Sequence, residues 1–130
     1  MKDQVTSIEQ SKRLIELGVP ADKASMVYRK RYIKNEYVLD VLSREMEVIA
    51  PAFTVADLLE KVLPNVIQDA HNTYELTLKA VVGGGWRFCY TPVLTQLEAD
   101  NIGEKMGDSL IELLCNRIEW AVSNGYGLNL

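Results

Sequence analysis

The stretch that decides the fold is "YELTLKAVVGGGWRFCY", residues 74–90. In "YELTLKAVV" every second residue from Tyr74 is apolar, and the residues between them are mostly polar. This period of two predicts a β-strand with one buried face. After three glycines the alternation resumes in "WRFCY", where the aromatic residues share one side. We therefore predict a β-hairpin with the glycines at its turn.

The length of the glycine loop determines how the two strands pair. A loop of Gly83 and Gly84 alone would place the two apolar sets on opposite faces. A loop of all three glycines places both sets on one face, and glycine supplies the positive φ that three-residue loops need. The pairs predicted on this basis are Val82 with Trp86, Ala80 with Phe88, and Leu78 with Tyr90.

The glycines also raise the alternative of a phosphate-binding loop. Such loops lead from a strand into a helix, whose N-terminal amides hold the phosphate. Here a second strand follows, and neither Lys-Ser nor Lys-Thr comes after the glycines. The pattern favours a turn.

Two helices are predicted before the hairpin. The first covers residues 6–17, with Thr6 as N-cap, Glu9 completing a capping box and Gly18 ending the helix. The second covers residues 54–63, with Thr54 as N-cap.

A third helix is predicted near the C-terminus, with Asp108 as N-cap and Gly125 after its last turn. Its apolar residues occupy more than half of its circumference, so either its own chain or a second subunit should cover it. Arg117 falls within this apolar arc and is expected to extend to solvent or to pair with a carboxylate. Together the elements predict an α+β fold, in which an antiparallel β-hairpin or small sheet packs against two or three helices.

At 130 residues the chain is expected to form a single α+β domain. Residues 21–52 show no clear periodicity and are predicted to be an irregular segment or arm. Residues 92–107 are predicted to be a connector with a short edge strand around "VLTQLE". Cys89 and Cys115 are expected to be free, buried thiols, because no export signal precedes them.

Charge is distributed unevenly along the chain. Residues 1–34 hold eight basic and four acidic residues, whereas the remainder holds six and fourteen. This asymmetry predicts that the basic part docks on the acidic part or on an acidic partner. Within it, "YRKRYIK" interleaves cations with aromatics, a composition that suits a phosphate backbone and stacked bases. The candidate nucleic-acid contacts are Tyr28, Arg29, Lys30, Arg31, Tyr32 and Lys34.

His71 is the only histidine, and it lies beside Asp69 in "QDAHNTY". A histidine next to a carboxylate is one arrangement of a general base, so a small hydrolase around His71 is a third hypothesis. No recognisable nucleophile motif accompanies it, and dispersed loop carboxylates such as Glu98 and Glu104 form no evident pair. With one histidine and no CxxC pair, neither a metal site nor a cofactor is expected.

Four stretches resemble uncharacterised small α+β proteins of bacterial prophages and mobile elements: "EQSKRLIELGVPADKASMVY", "PAFTVADLLEKVLP", the glycine-turn hairpin, and "LIELLCNRIEWAVSNG". The region from Tyr37 to Ala50 departs from that layout. The resemblance implies an α+β fold and a cytoplasmic protein, and it implies no site residues.

Combined with the absence of an apolar h-region or membrane-spanning run, these features predict a cytoplasmic, non-enzymatic interaction protein. It would bind a protein partner or itself, and it would not bind a membrane. Nucleic-acid binding through residues 28–34 is the alternative.

Overall fold

A computed structural model describes residues 4–31, 36–41, 48–70, 72–95 and 98–130. The helices are α1 (Ile8–Glu16), the short α2 (Val55–Asp57), which continues as a π-helical turn (Leu58–Val62), and α3 (Leu110–Ser123). Short 3-10 turns lie at Ala21–Lys23 and Glu98–Asp100. The strands are β1 (Met26–Arg31), β2 (Glu36–Val41), β3 (Val48–Ala52), β4 (Val66–Gln68), β5 (Thr73–Ala80), β6 (Trp86–Pro92) and β7 (Ile102–Gly107).

The strands form two antiparallel sheets, which confirms the predicted α+β class. The first sheet has three strands in the order β2-β1-β3, and the second has four in the order β4-β5-β6-β7. The second sheet is a meander of neighbouring strands built outward from the predicted hairpin.

The prediction of an irregular segment over residues 21–52 is wrong, because this region supplies all three strands of the first sheet. Strand β1 runs through the basic stretch "MVYRKR", where charged residues obscure the usual alternation. Among the side chains described in β1, Val27 and Arg29 are buried, so a strand period is present with a cation on the inner side. Pairing to β2 and β3 on both sides holds β1 in place.

The hairpin is confirmed as strand, turn and strand, but its predicted register is wrong by two residues. Ala80 pairs with Trp86, and the Val81 amide donates to the Gly85 carbonyl at 3.0 Å. The loop is therefore Val82–Gly84, with a Gly84 N–H bond to the Val81 carbonyl at 3.0 Å. Gly83 has φ of 94°, the left-handed conformation that the third position of a type II turn requires. A slip of two leaves the paired strand residues on their predicted faces, whereas Val82, predicted to pair with Trp86, lies in the loop and is exposed.

The core lies between the inner face of the second sheet and α3, with the π-helical turn and α1 closing its sides. Tyr90 is fully buried at its centre, and its hydroxyl donates to the Pro64 carbonyl at 2.8 Å. Burial raises the pKa of this phenol well above its usual value. The buried cluster consists of Leu14, Val19, Ala24, Phe53, Leu58, Val62, Leu63, Ile67, Tyr74, Phe88, Tyr90, Ile111, Leu113, Leu114 and Ile118.

The N-caps of the first and last helices each lie one residue after the predicted position. Ser7, not Thr6, caps α1 and forms a capping box with Gln10. Thr6 instead turns inward, where its hydroxyl bonds Ser11 and accepts from the Phe53 amide at 2.9 Å. Gly18 ends α1 with φ of 102°, as predicted.

Helix α3 is capped by Ser109 rather than by the predicted Asp108. Its apolar arc is covered by the chain itself, since the residues buried along it face the second sheet, α1 and the π-helical turn. The tail after α3 adds to this cover by placing Tyr126 on Trp120, with ring centroids 5.3 Å apart. Cover by the chain itself, one of the two predicted alternatives, is therefore present. Across the described ranges, no helix is long and apolar enough to cross a membrane.

Arg117 packs within the same arc, contrary to both of its predicted roles: it does not extend to solvent, and no carboxylate among the described residues pairs with it. It is 8% exposed, and Nη1 donates to the Gly103 carbonyl at 3.1 Å while Nε donates to Asn116 Oδ1. Its guanidinium carbon lies 5.5 Å from the centre of the Trp120 ring. Burial lowers the pKa of this guanidinium from its ordinary value.

The edge strand predicted around "VLTQLE" is wrongly placed. Residues 93–95 form a turn, Gln96 and Leu97 lie outside the described residues, and the edge strand β7 begins later, at Ile102. Gly103 follows with φ of 63°, next to a register shift opposite Phe88 and Tyr90. This irregularity lets the backbone approach the Trp120 ring closely.

The predicted second helix is confirmed at its start, where Thr54 caps α2 through the Asp57 amide at 3.1 Å. The helix widens into a π-helical turn, whose backbone carbonyls then find partners elsewhere. The Asn129 amide donates to the Val62 carbonyl at 2.8 Å, and its side chain donates to the Glu60 carbonyl at 3.2 Å. The C-terminal tail thus fastens this turn.

Candidate functional site

The site that the fold presents is the outer face of the second sheet. Because side chains alternate along a strand, the residues between the core-facing ones project away from the helices. They line a shallow trough of roughly 250 Å³, whose floor is built from the two strands β5 and β6. The lining residues on the hairpin strands are Glu75, Thr77, Lys79, Arg87, Cys89 and Thr91, and Asn101 closes the side next to β7.

The middle of the trough is a neutral, hydrogen-bonding surface. Thr77 Oγ1 lies 3.1 Å from Thr91 Oγ1, so either hydroxyl donates to the other. Asn101 Nδ2 donates to Cys89 Sγ at 3.6 Å, and the same sulfur lies 3.7 Å from Thr91 Oγ1. Hydroxyl groups both donate and accept, so this surface can meet the amides or carbonyls of a bound molecule.

The two ends of the trough carry opposite charges. At the end near the glycine turn, Lys79 stands directly opposite Arg87 in the strand register. Arg87 Nε donates to Glu104 Oε1 at 3.2 Å, which anchors the guanidinium on the β7 side. At the far end, the exposed Glu75 stands opposite Thr91. Lys79 follows Glu75 by four positions, so the two residues lie about 13 Å apart along the strand.

A second polar cluster joins β1 to α2 and has a structural role. The buried Asp57 carboxylate accepts from the Ser25 amide at 2.8 Å, from the Thr54 amide at 3.0 Å and from Lys61 Nζ at 3.1 Å. The Ser25 hydroxyl also donates to it. Burial of the carboxyl opposes ionisation, but these donors outweigh it and lower the pKa of Asp57 to about 2. A carboxylate held so firmly ionised is a poor general base at neutral pH.

The structure describes the side chains of only two residues of the predicted nucleic-acid segment, Tyr28 and Arg29, and both contact the interior of the fold. Tyr28 donates its hydroxyl to the Thr6 carbonyl at 2.7 Å, and Arg29 is 6% exposed. The backbones of Lys30 and Arg31 lie in β1, whereas Tyr32 and Lys34 lie outside the described residues. The nucleic-acid hypothesis stays a prediction for Lys30, Arg31, Tyr32 and Lys34.

The third hypothesis centres on His71, which lies outside the described residues. Next to it, the Asp69 carboxylate accepts from the Asn72 amide at 2.8 Å, which closes a turn before β5. Of the other carboxylates, Glu104 pairs with Arg87, and Asp100 lies 3.4 Å from the Thr95 hydroxyl.

The two cysteines are free, as predicted, but only Cys89 is buried, and Cys115 is half-buried. Burial, reinforced by the nearby Glu112 charge, raises the pKa of the Cys115 thiol to about 12, which makes it unreactive at neutral pH. Among the residues that the structure describes, no group of three or more metal-ligating side chains comes together.

The trough was not among the predicted sites, although the sequence carried a signal for it. The same alternation that assigned the apolar residues to one face assigns Glu75, Thr77, Lys79, Arg87 and Cys89 to the other. What the sequence did not reveal was that β7 adds to the hairpin and brings Glu104 beside Arg87, while Asn101, just before β7, closes the trough.

No protein-family model, curated protein or solved structure matches this chain.

Proposed function

We propose that this protein is a non-enzymatic, cytoplasmic interaction protein that binds a protein partner through the outer face of its second sheet. The supporting observation is the trough itself, where the two central strands β5 and β6 present hydrogen-bonding groups between charges of opposite sign. The opposite face of the same sheet is used for the core, so the binding face rests on a rigid base.

The proposal is tested by photo-crosslinking in the native host cells. Glu75 is exposed at one end of the trough, so a Glu75→p-benzoylphenylalanine variant places a crosslinker on the face without disturbing the core. The matched control is an Ala56→p-benzoylphenylalanine variant, because Ala56 is exposed on α2, away from the second sheet.

We expect a discrete protein adduct from position 75 and none from position 56, and the adduct mass then identifies the partner or a second copy of this chain. Binding of that purified protein is measured with the wild-type chain. Adducts of equal yield at both positions, or no protein adduct at position 75, would overturn the proposal. An adduct to nucleic acid at position 75 would overturn it too, in favour of the alternative.

A further inference from the structure

The end of the trough near the glycine turn places two like charges opposite each other. Cross-strand neighbours share a face and lie about 5 Å apart, so like charges directly opposite each other destabilise a sheet. Lys79 and Arg87 are such a pair. Glu104 compensates Arg87 from the β7 side, with the Arg87 side chain 24% exposed, whereas Lys79 is exposed on the β5 side. An acidic group arriving from solvent would offset the repulsion.

The other end of the trough carries a negative charge and favours a basic group on a bound molecule. Glu75 is exposed, two residues beyond the threonine hydroxyls along the same strand. The spacing from Glu75 to Lys79 is four residues of extended chain, about 13 Å. A second extended chain lying along the trough repeats that spacing between its own residues i and i+4. Its backbone amides would then lie over the hydroxyls of Thr77 and Thr91.

Resting on the proposed function, we infer that the trough receives an extended protein segment bearing an acidic and a basic side chain four residues apart. The acidic side chain lies between Lys79 and Arg87, and the basic one lies beside Glu75. A nucleic-acid backbone fits less well, because Glu75 and Glu104 on the same face and the net charge of -4 repel a continuous row of phosphates.

The inference is tested with short peptides on the isotope-labelled protein. The probe is a five-residue peptide with blocked termini, with Asp first and Lys fifth, separated by serine and alanine. Amide chemical shifts of the ¹⁵N-labelled chain are followed during titration. We expect saturable shifts at the amides of residues 75–79 and 87–91. A matched peptide with Asn first and Gln fifth removes both charges and should bind more weakly.

Reversing the charge at one end of the trough distinguishes specific recognition of the peptide from non-specific binding. Lys79→Glu should lower the affinity for the Asp–Lys peptide by about fivefold to tenfold, because a surface ion pair is replaced by a repulsion between two carboxylates. The same variant should strengthen binding of a Lys–Lys peptide. Lys12→Glu, an equal change of charge on the exposed side of α1, should leave both affinities unchanged.

Equal effects of Lys79→Glu and Lys12→Glu would overturn the inference, as would shifts confined to residues outside the trough. If photo-crosslinking from position 75 traps a protein while the peptides fail, the proposed function stands and the charge-spaced segment is wrong. If neither experiment gives a signal at this face, both fail.

Discussion

Replacing Asp57 by asparagine should destabilise the fold by an amount that depends on pH. Its side chain is only 3% exposed, so little solvent screening applies. The pKa of its carboxyl falls from 3.8 to about 2 on folding. That difference corresponds to about 2 kcal/mol of stability. An asparagine keeps the shape and can keep one oxygen toward the Ser25 and Thr54 amides, but it loses the charge and turns its NH2 group toward the Lys61 ammonium and the Ser25 hydroxyl. At pH 7 we therefore expect Asp57→Asn to lose about 2–3 kcal/mol.

The sign of the pH dependence follows from the lowered pKa. The stabilisation is fully present above the unfolded pKa of about 4 and is lost as pH falls toward the folded pKa of about 2. The wild-type chain should therefore approach the variant in stability below pH 4. The variant has no carboxyl at this position, so that contribution is missing from its own profile.

Urea unfolding followed by tryptophan fluorescence at pH 7, 4 and 2.5 measures both effects. Asp22→Asn is the matched control, because Asp22 is an exposed carboxylate in the short turn before β1. We expect the control to unfold like the wild-type chain at every pH. A stability difference between wild type and Asp57→Asn that stays constant from pH 7 to 2.5 would refute the reasoning, as would equal midpoints at pH 7.

Two further predictions concern packing. Gly103→Ala should cost about 1–3 kcal/mol more than Gly125→Ala, because both positions have positive φ but only the first would place a Cβ 2.6 Å from the Trp120 ring; thermal unfolding of both variants gives the difference, and equal melting temperatures would contradict it. Tyr90→Phe should cost about 1–3 kcal/mol, since the buried Pro64 carbonyl loses its donor; a variant with the unfolding midpoint of the wild type would show that this bond contributes nothing.

The elements that were predictable are those whose signals are local. Alternation assigned the faces of the hairpin, and an N-cap followed by an apolar run located Thr54 and α2. The hairpin register was not predictable from the alternation of apolar and polar residues alone, because registers two residues apart bury the same faces. The turn decides between them by taking Val82 into solvent so that Gly83 can occupy the positive-φ position of the turn.

The elements that were missed depend on contacts far apart in sequence. Strand β1 is charged, and it is a strand because β2 and β3 pair with it on both sides. Thr6 fits the local sequence pattern of a helix N-cap, yet its hydroxyl accepts a hydrogen bond from the Phe53 amide, 47 residues away. The trough required β7, whose sequence "IGEKMG" has two glycines and little strand propensity of its own.

Hydrogen bonds join α2 and the following π-helical turn to both the N-terminal segment and the C-terminal tail. This arrangement has a consequence for synthesis on the ribosome. The Thr6 amide bonds the Phe53 carbonyl and the Val55 amide bonds the Gln4 carbonyl, whereas the Val62 carbonyl receives its donor from Asn129. At a translation rate of about 5–20 residues per second, Asn129 follows Val62 by roughly 3–13 seconds. During that interval the nascent chain holds an incomplete core, which chaperones can engage. Codon changes that slow translation between residues 62 and 129 would lengthen this exposure and lower the yield of native protein.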